Sequence, residues 1–279
     1  MESGVMDAGW VSRGHGAIPD FDLIHATRVK DALSAYGADD ETSAAYIAGG
    51  IDQVNRMQDG RMPDRLIDIS KVQGLSDISE NNGTLTIGAG VTHYRMETDP
   101  VIASLVPDLA AAWASFGNIR IRMAGTIGGN VMARHPNYDG PVLLAAYGAR
   151  YVFEKPDGTT SLIDAETGPD PTPGALLTRI VIPTGARRKL VFDRSLKPVI
   201  SVAVAADGNG SGRAALGCAF AAPVCVGFDV GDDPAETAEE IVGKLPTPIR
   251  DVFAGSDYRR RMARVLLERQ IIRLAELRP

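Results

Sequence analysis

The run Gly125-Thr126-Ile127-Gly128-Gly129-Asn130 holds the residue types and spacing that most directly suggest chemistry. Adjacent glycines let a chain bend sharply and leave no Cβ above the amides. Successive N–H groups then point into one concavity, a nest for a diphosphate or another anion. Thr126 and Asn130 add a hydroxyl and an amide at its rim. A second glycine pair lies upstream in Tyr46-Ile47-Ala48-Gly49-Gly50-Ile51-Asp52. One Gly-Gly pair is more often a turn than a site. Two of them in comparable α/β settings point to a ligand with a long phosphate bridge, held between two small units.

Other chemistries find less support. The dinucleotide fingerprint G-x-G-x-x-G is missing: Gly88-Ala89-Gly90 runs on into Val91 and Thr92, and Gly208–Gly212 lies between two strand-like runs. No Gly-Lys-Ser/Thr occurs, so a Walker-type phosphate loop is excluded. His15, His25, His93 and His135 stand at no metal-ligand spacing to one another or to the cysteines, although His135 follows the second glycine run closely. Cys218 and Cys225 read as small buried apolar residues. No nucleophile–histidine–carboxylate set is identifiable from spacing. The arginines between Arg259 and Arg273 read as the solvated face of a terminal helix.

The bulk properties bound the answer further. With 279 residues, 44% hydrophobic and 23% charged, the chain suits two packed domains. A net charge of −6 argues against nucleic acid as a partner, which demands a basic surface. No run approaches the roughly 18 apolar residues that span a membrane. Met1 to Asp20 has neither the basic nor the apolar region of a signal peptide. Two cysteines in this length suggest a reducing, cytoplasmic setting.

Periodicity supplies the elements that must position the glycine runs. Short strands are expected at Phe21–Ile24, Tyr46–Ala48 and Leu66–Ile69, and a helix over Arg28–Tyr36 stopped by Gly37. Asp52 is expected to cap the helix that follows the first glycine pair. Asn81-Asn82-Gly83 marks a hairpin between Leu75–Glu80 and Thr84–Gly88. Pro107 divides the apolar stretch Val101–Phe116, leaving a buried helix from Asp108 to Phe116, closed by Gly117. The second glycine run reads as a loop, and a short helix starts near Asp139. Later strands are expected at Tyr151–Phe153, Thr160–Ile163, Leu176–Ile182, Val199–Ala206 and Ala214–Ala221, before a terminal helix over Asp257–Leu277. The composition shift after Pro183 places a boundary near 184–190.

A set of these features resembles one family. Ala48-Gly49-Gly50 with Asp52, Ile87-Gly88-Ala89-Gly90-Val91-Thr92, Ile121-Arg122 ahead of Gly125–Asn130, Pro136 with Asp139, Leu177–Pro183, and the ending Asp257-Tyr258-Arg259-Arg260 together carry the likeness. They resemble the FAD-binding medium subunit of the molybdenum hydroxylases, the xanthine dehydrogenase and carbon monoxide dehydrogenase type. The resemblance implies an α+β fold: an N-terminal extension at 1–20, a two-subdomain, PCMH-like FAD-binding domain at 21–186, and a C-terminal domain at 187–279 with an antiparallel sheet and helices. It implies FAD held by Ile47, Ala48, Gly49, Gly50, Ile51, Asp52, Thr92, Gly125, Thr126, Gly128, Gly129, Asn130, Asp139 and Leu177, with no catalytic side chain and no metal ligand in this chain. It implies two partners, a large molybdopterin subunit and a small subunit with [2Fe–2S] clusters, from which electrons pass through FAD to an external acceptor. Three positions depart from the family pattern: Ile51 where a polar residue is usual, Met123 where Asn is frequent, and Lys197 where Asp is usual. Two other readings stay open at this point, a self-sufficient FAD-dependent oxidoreductase and a flavin-free scaffold subunit.

Overall fold

The computed structural model describes residues 20–37, 43–170, 172–185, 188–197, 199–231 and 233–277. The expected N-terminal extension lies outside these residues apart from Asp20.

A first lobe is formed by β1 (Asp22–His25), α1 (Val29–Tyr36), β2 (Ala44–Ile47), α2 (Ile51–Gln58) and β3 (Arg65–Asp68). Its three strands are parallel in the order β1-β3-β2, with Ile24 and Tyr46 both in register with Ile67. Gly37, at φ 81°, stops α1 in a conformation that costs glycine little. Ala26, Ala32, Ile67, Val72 and Leu75 make a small core, completed by Leu176 from the second lobe.

The second lobe opens with the hairpin of β4 (Ile78–Asn81) and β5 (Thr84–Gly88). Asn82 and Gly83, at φ 50° and 73°, are its turn, the left-handed pair that matches the twist of the strands. Six short helices follow: α3 (His93–Thr98), α4 (Pro100–Leu105), α5 (Pro107–Trp113), α6 (Ile119–Ala124), α7 (Ile127–Met132) and α8 (Asp139–Tyr147). Pro107 sits in the first turn of α5, where its missing N–H is no loss. The helix ends at Trp113, short of the expected Phe116, because tighter turns take over at Ser115 and Phe116. β6 (Arg150–Glu154), β7 (Thr160–Asp164) and β8 (Leu176–Pro183) complete an antiparallel sheet in the order β4-β5-β8-β6-β7.

β9 (Lys189–Arg194), β10 (Ser201–Ala206), β11 (Ser211–Gly217) and β12 (Val224–Asp229) form an antiparallel meander, followed by α9 (Pro234–Gly243) and α10 (Ser256–Glu276). Every residue of β10 is buried. Alternate strand residues face opposite sides. Val202, Val204 and Ala206 pack with Leu266, Leu267 and Ile271 of α10. Ala203 and Ala205 join the core of the second lobe, which includes the apolar residues of α8. The smaller side chains thus face α8, which lies close against the sheet: a Cβ on Gly217 would overlap Val142. The fold is mixed α+β, and its last sheet is a wall between two cores.

Arg259 anchors that last part. It is 0% exposed, and it donates from Nη1 to the carbonyls of Val199 and Cys218 and from Nη2 to Asp251. One side chain therefore ties α10 to the entry of β10, to the exit of β11 and to the loop before the helix. Replacing Arg259 with Met leaves two buried carbonyls without this donor and removes the guanidinium from Asp251, whose Oδ1 still accepts from Phe253 N and Ala254 N. The expected cost is about 3–5 kcal/mol, read as a lower urea midpoint at unchanged slope. A midpoint equal to that of the wild type would contradict this role.

Candidate functional site

The two glycine runs meet. A Cβ on Gly49 would overlap the Ala124 carbonyl and lie 3.2 Å from Gly125 N. Only a residue without a side chain lets the two lobes touch main chain to main chain here. Around this junction lies a cleft of about 570 Å³, inside the roughly 300–1,000 Å³ range of small-molecule sites. It is lined by Ile47, Ala48, Gly49, Gly50, Ile51 and Asp52 from the first lobe. From the second lobe come Gly125, Thr126, Gly128, Gly129, Asn130, Asp139 and Leu177. Thr92 does not line it. That residue caps α3, accepting from Arg95 N, and pairs across a short bridge with Thr126.

The first run opens α2 in an unexpected way. Asp52 is not the cap: Gly50 is, at φ 74°, with no side chain on the first amides. Val54 N is the first helical donor to find an acceptor, Gly50 O at 3.0 Å. Among the described residues no acceptor faces the N–H groups of Ile51, Asp52 and Gln53. These three residues line the cleft, so the positive end of the α2 dipole is left for a ligand. Asp52 instead turns sideways. Its carboxylate pairs with Arg56 Nε at 2.6 Å and accepts from Tyr138 Oη at 3.2 Å. Arg56 also donates to the Ala133 carbonyl. This set links α2 to the chain between α7 and α8, across the lobe junction. Burial, then the Asp52 charge, pushes the Tyr138 phenol up to about 12, so it remains a donor. His135 stacks on the Tyr138 ring, centroids 4.8 Å apart.

The second run is not the open nest that its glycines suggest. Thr126 caps α7, its Oγ1 accepting from Gly129 N at 3.0 Å. Ile127 N donates to Val91 O, Gly128 N to Ala89 O and Asn130 N to Thr126 O. Those amides are spent on the fold: the turn after β5 supplies acceptors for Ile127 and Gly128, and the cap residue Thr126 supplies those for Gly129 and Asn130. The glycines act sterically. A Cβ on Gly128 would stand 2.7 Å from Ala89 Cβ, whereas one on Gly129 would meet only Thr126 Oγ1, at 3.0 Å. Gly128 lets α7 close on the turn after β5, and Gly129 keeps the cleft wall bare.

Polar groups complete the lining. Arg194 Nη1 pairs with Asp139 Oδ2 at 2.6 Å. Burial raises the Asp139 carboxyl above its usual range against the pull of that guanidinium. Asp139 Oδ1 and Asn130 Oδ1 are buried without a hydrogen-bond partner, and a Cβ on Gly140 would overlap Asn130 Oδ1, so that oxygen faces α8. Tyr46 Oη donates to Gly174 O at 2.8 Å, with the Tyr36 ring 5.2 Å from that of Tyr46. Phe116 and Ile121 add an apolar stretch, and the His93 ring lines the cleft beside them. Sequence reasoning had not placed Arg56, Tyr138, Tyr46 or Trp113 at the site. Arg56 pairs with Asp52 one helical turn away, but the contacts of Arg56 with Ala133, of Tyr138 with Asp52, of Tyr46 with Gly174 and of Trp113 with His93 join distant parts of the chain that no local pattern connects. Of the three departures from the family pattern, Ile51 lines the cleft, while Met123 and Lys197 are exposed and do not.

Comparisons with known proteins agree with this geometry. Residues 19–185 match the family model described as "FAD binding domain in molybdopterin dehydrogenase". The chain is 26% identical to the glyceraldehyde dehydrogenase medium chain of Sulfolobus acidocaldarius, over 89% of this chain and 96% of that one. It is also 26% identical to the carbon monoxide dehydrogenase medium chain of Afipia carboxidovorans, over 91% and 96%. Among solved structures, a chain of quinoline 2-oxidoreductase from Pseudomonas putida 86 superposes with a TM-score of 0.81 at 24% identity, covering 94% of this chain and 99% of that one. No helix among the described residues is long and apolar enough to cross a membrane. The family model spans more than half of the chain, and the chain belongs to the FAD-binding medium subunits of the molybdenum hydroxylases.

Proposed function

We propose that this chain is the FAD-carrying electron-transfer subunit of a molybdenum-containing hydroxylase or dehydrogenase. Electrons would arrive from [2Fe–2S] clusters of a small partner subunit, after substrate oxidation on a large molybdopterin subunit. They would leave through FAD to an external acceptor. The observation that carries this reading is the bare N-terminus of α2, set against the second glycine run over one cleft.

The residues present fit FAD. Three unpaired amides at a helix start suit phosphate oxygens. The side-chain-free face at Gly129 leaves room for close approach. When bound, FAD exchanges electrons singly or in pairs, and this is the chemistry that joins one-electron carriers to two-electron acceptors. The chain's own work is positional. Asp52, Arg56 and Tyr138 hold α2 at the angle that aims its amides into the cleft. Arg194 keeps the buried Asp139 charge paired. Leu177 and Phe116, both buried, help to keep water out. Two cysteines are too few for the thiolate set of an iron–sulfur cluster, so the clusters of this reading belong to another chain.

The direct experiment is native purification of the assembly, followed by its absorption spectrum, metal content and subunit count. A yellow, three-polypeptide complex with molybdenum and iron supports the reading; a colourless chain, or a yellow one that turns over alone, defeats it. Two glycine variants separate the cleft from the fold. Gly129→Val is expected to weaken FAD binding by more than about tenfold, ~1.4 kcal/mol, with little change in Tm. Flavin fluorescence titration and thermal melts check both halves, and undiminished binding would remove Gly129 from the site. Gly49→Ala drives a Cβ into main chain, so it is expected to lose about 1–3 kcal/mol of stability together with FAD. Unfolding in urea measures that loss.

A further inference from the structure

His93 starts α3 directly after Thr92, and its ring lines the cleft beside Gly125. It is 4% exposed. Trp113 of α5 donates its indole Nε1–H to His93 Nδ1 at 3.0 Å. An indole nitrogen only donates. Nδ1 must therefore accept, and the neutral ring must carry its proton on Nε2. A proton on Nδ1 would set two donors head to head. Burial acts in the same direction, pushing the imidazole down to about 4, so the ring stays neutral at ordinary pH. Its orientation is fixed as well. Phe116 meets it edge-on at 6.4 Å and 76°, and Trp113 packs on Phe116 with centroids 4.9 Å apart.

The free edge of the ring faces the lobe junction. A Cβ on Gly125 would lie 2.9 Å from Cδ2 and 3.1 Å from Nε2. Gly125 has no side chain to cover that edge, and its carbonyl is already taken by His93 N at 2.9 Å. Among the described residues the only side-chain hydrogen bond of His93 is the one from Trp113. Nε2–H is thus a donor without a protein acceptor, on a buried ring, in the wall of the cleft.

We propose that His93 is a fixed-tautomer hydrogen-bond donor to an oxygen of the bound dinucleotide, and that Trp113 is the positioning residue that sets the tautomer. The assignment rests on the FAD reading above. It gives the cleft a neutral, directional donor in addition to the charged pairs of Arg56 and Arg194. A guanidinium attracts any anion, whereas a neutral N–H in a fixed direction selects an acceptor by position.

The test uses the full chain with 15N-labelled histidine, titrated with FAD. The expected wild-type spectrum contains one ring with its proton on Nε2, and that resonance moves when FAD is added. His93→Leu is expected to weaken FAD binding by about tenfold. His93→Gln, whose amide N–H reaches nearly the same place, is expected to stay within about threefold of the wild type. Trp113→Phe keeps an aromatic ring but frees Nδ1, and should give mixed tautomers with an intermediate loss of affinity. The assignment alone fails if wild type binds FAD and His93→Leu binds it equally well. It also fails if the wild-type ring carries its proton on Nδ1, or if FAD leaves the Nε2 resonance unmoved. The wild-type spectra decide the question even where a variant does not fold. A wild-type chain that binds no FAD overturns both this assignment and the reading beneath it.

Discussion

The contact of Gly49 with Ala124 and Gly125 governs the rest of the site. Two lobes that meet through side chains stand several ångströms further apart than lobes that meet through main chain. Here the absence of one Cβ brings the start of α2 beside the start of α7, and the cleft is what remains between them. The Asp52–Arg56–Tyr138 set holds that approach from one side. The packing of Leu176 into the first lobe's core holds it from another. Neither would place three unpaired amides over the cleft without the close junction itself.

The two glycine runs look alike in sequence and do different physical work. In the first, Gly50 takes a left-handed conformation, and the helix behind it starts without a cap. In the second, both glycines lie inside a helix, where each costs up to about 1 kcal/mol relative to alanine. That loss is offset by what the missing side chains permit: Gly128 allows close packing on Ala89, and Gly129 leaves a bare wall. Electrostatic capture belongs to the first run and shape to the second.

Much of this was legible beforehand. The Asn82-Gly83 turn, the break at Pro107 and the stop at Gly37 follow from backbone sterics, which act locally. The glycine runs pointed to their own meeting, because two unusual backbones in one chain tend to serve one ligand. Other features resisted. Thr126 reads as a rim hydroxyl, yet it is the cap that folds the following residues into α7. Asp52 reads as a cap, yet a left-handed Gly50 had already started the helix. α6, held by the Asn118 side chain, lies where a run into the loop was expected. The pairing of His93 with Trp113 depends on how α3 crosses α5, which no periodicity reveals. Local rules give conformations; which side chains end up opposite each other is decided by tertiary packing.

β10 carries one more consequence. Ala203 and Ala205 seal the core around α8, while Val202, Val204 and Ala206 seal the core under α10. The stretch that matches the family model stops at residue 185, before that strand begins. Cut there, the polypeptide would bare to water the face of α8 that rests on the meander, a helix apolar on nearly every side. The stretch that the family model matches is therefore smaller than the packed unit, and a truncation drawn at its edge would expose that apolar face.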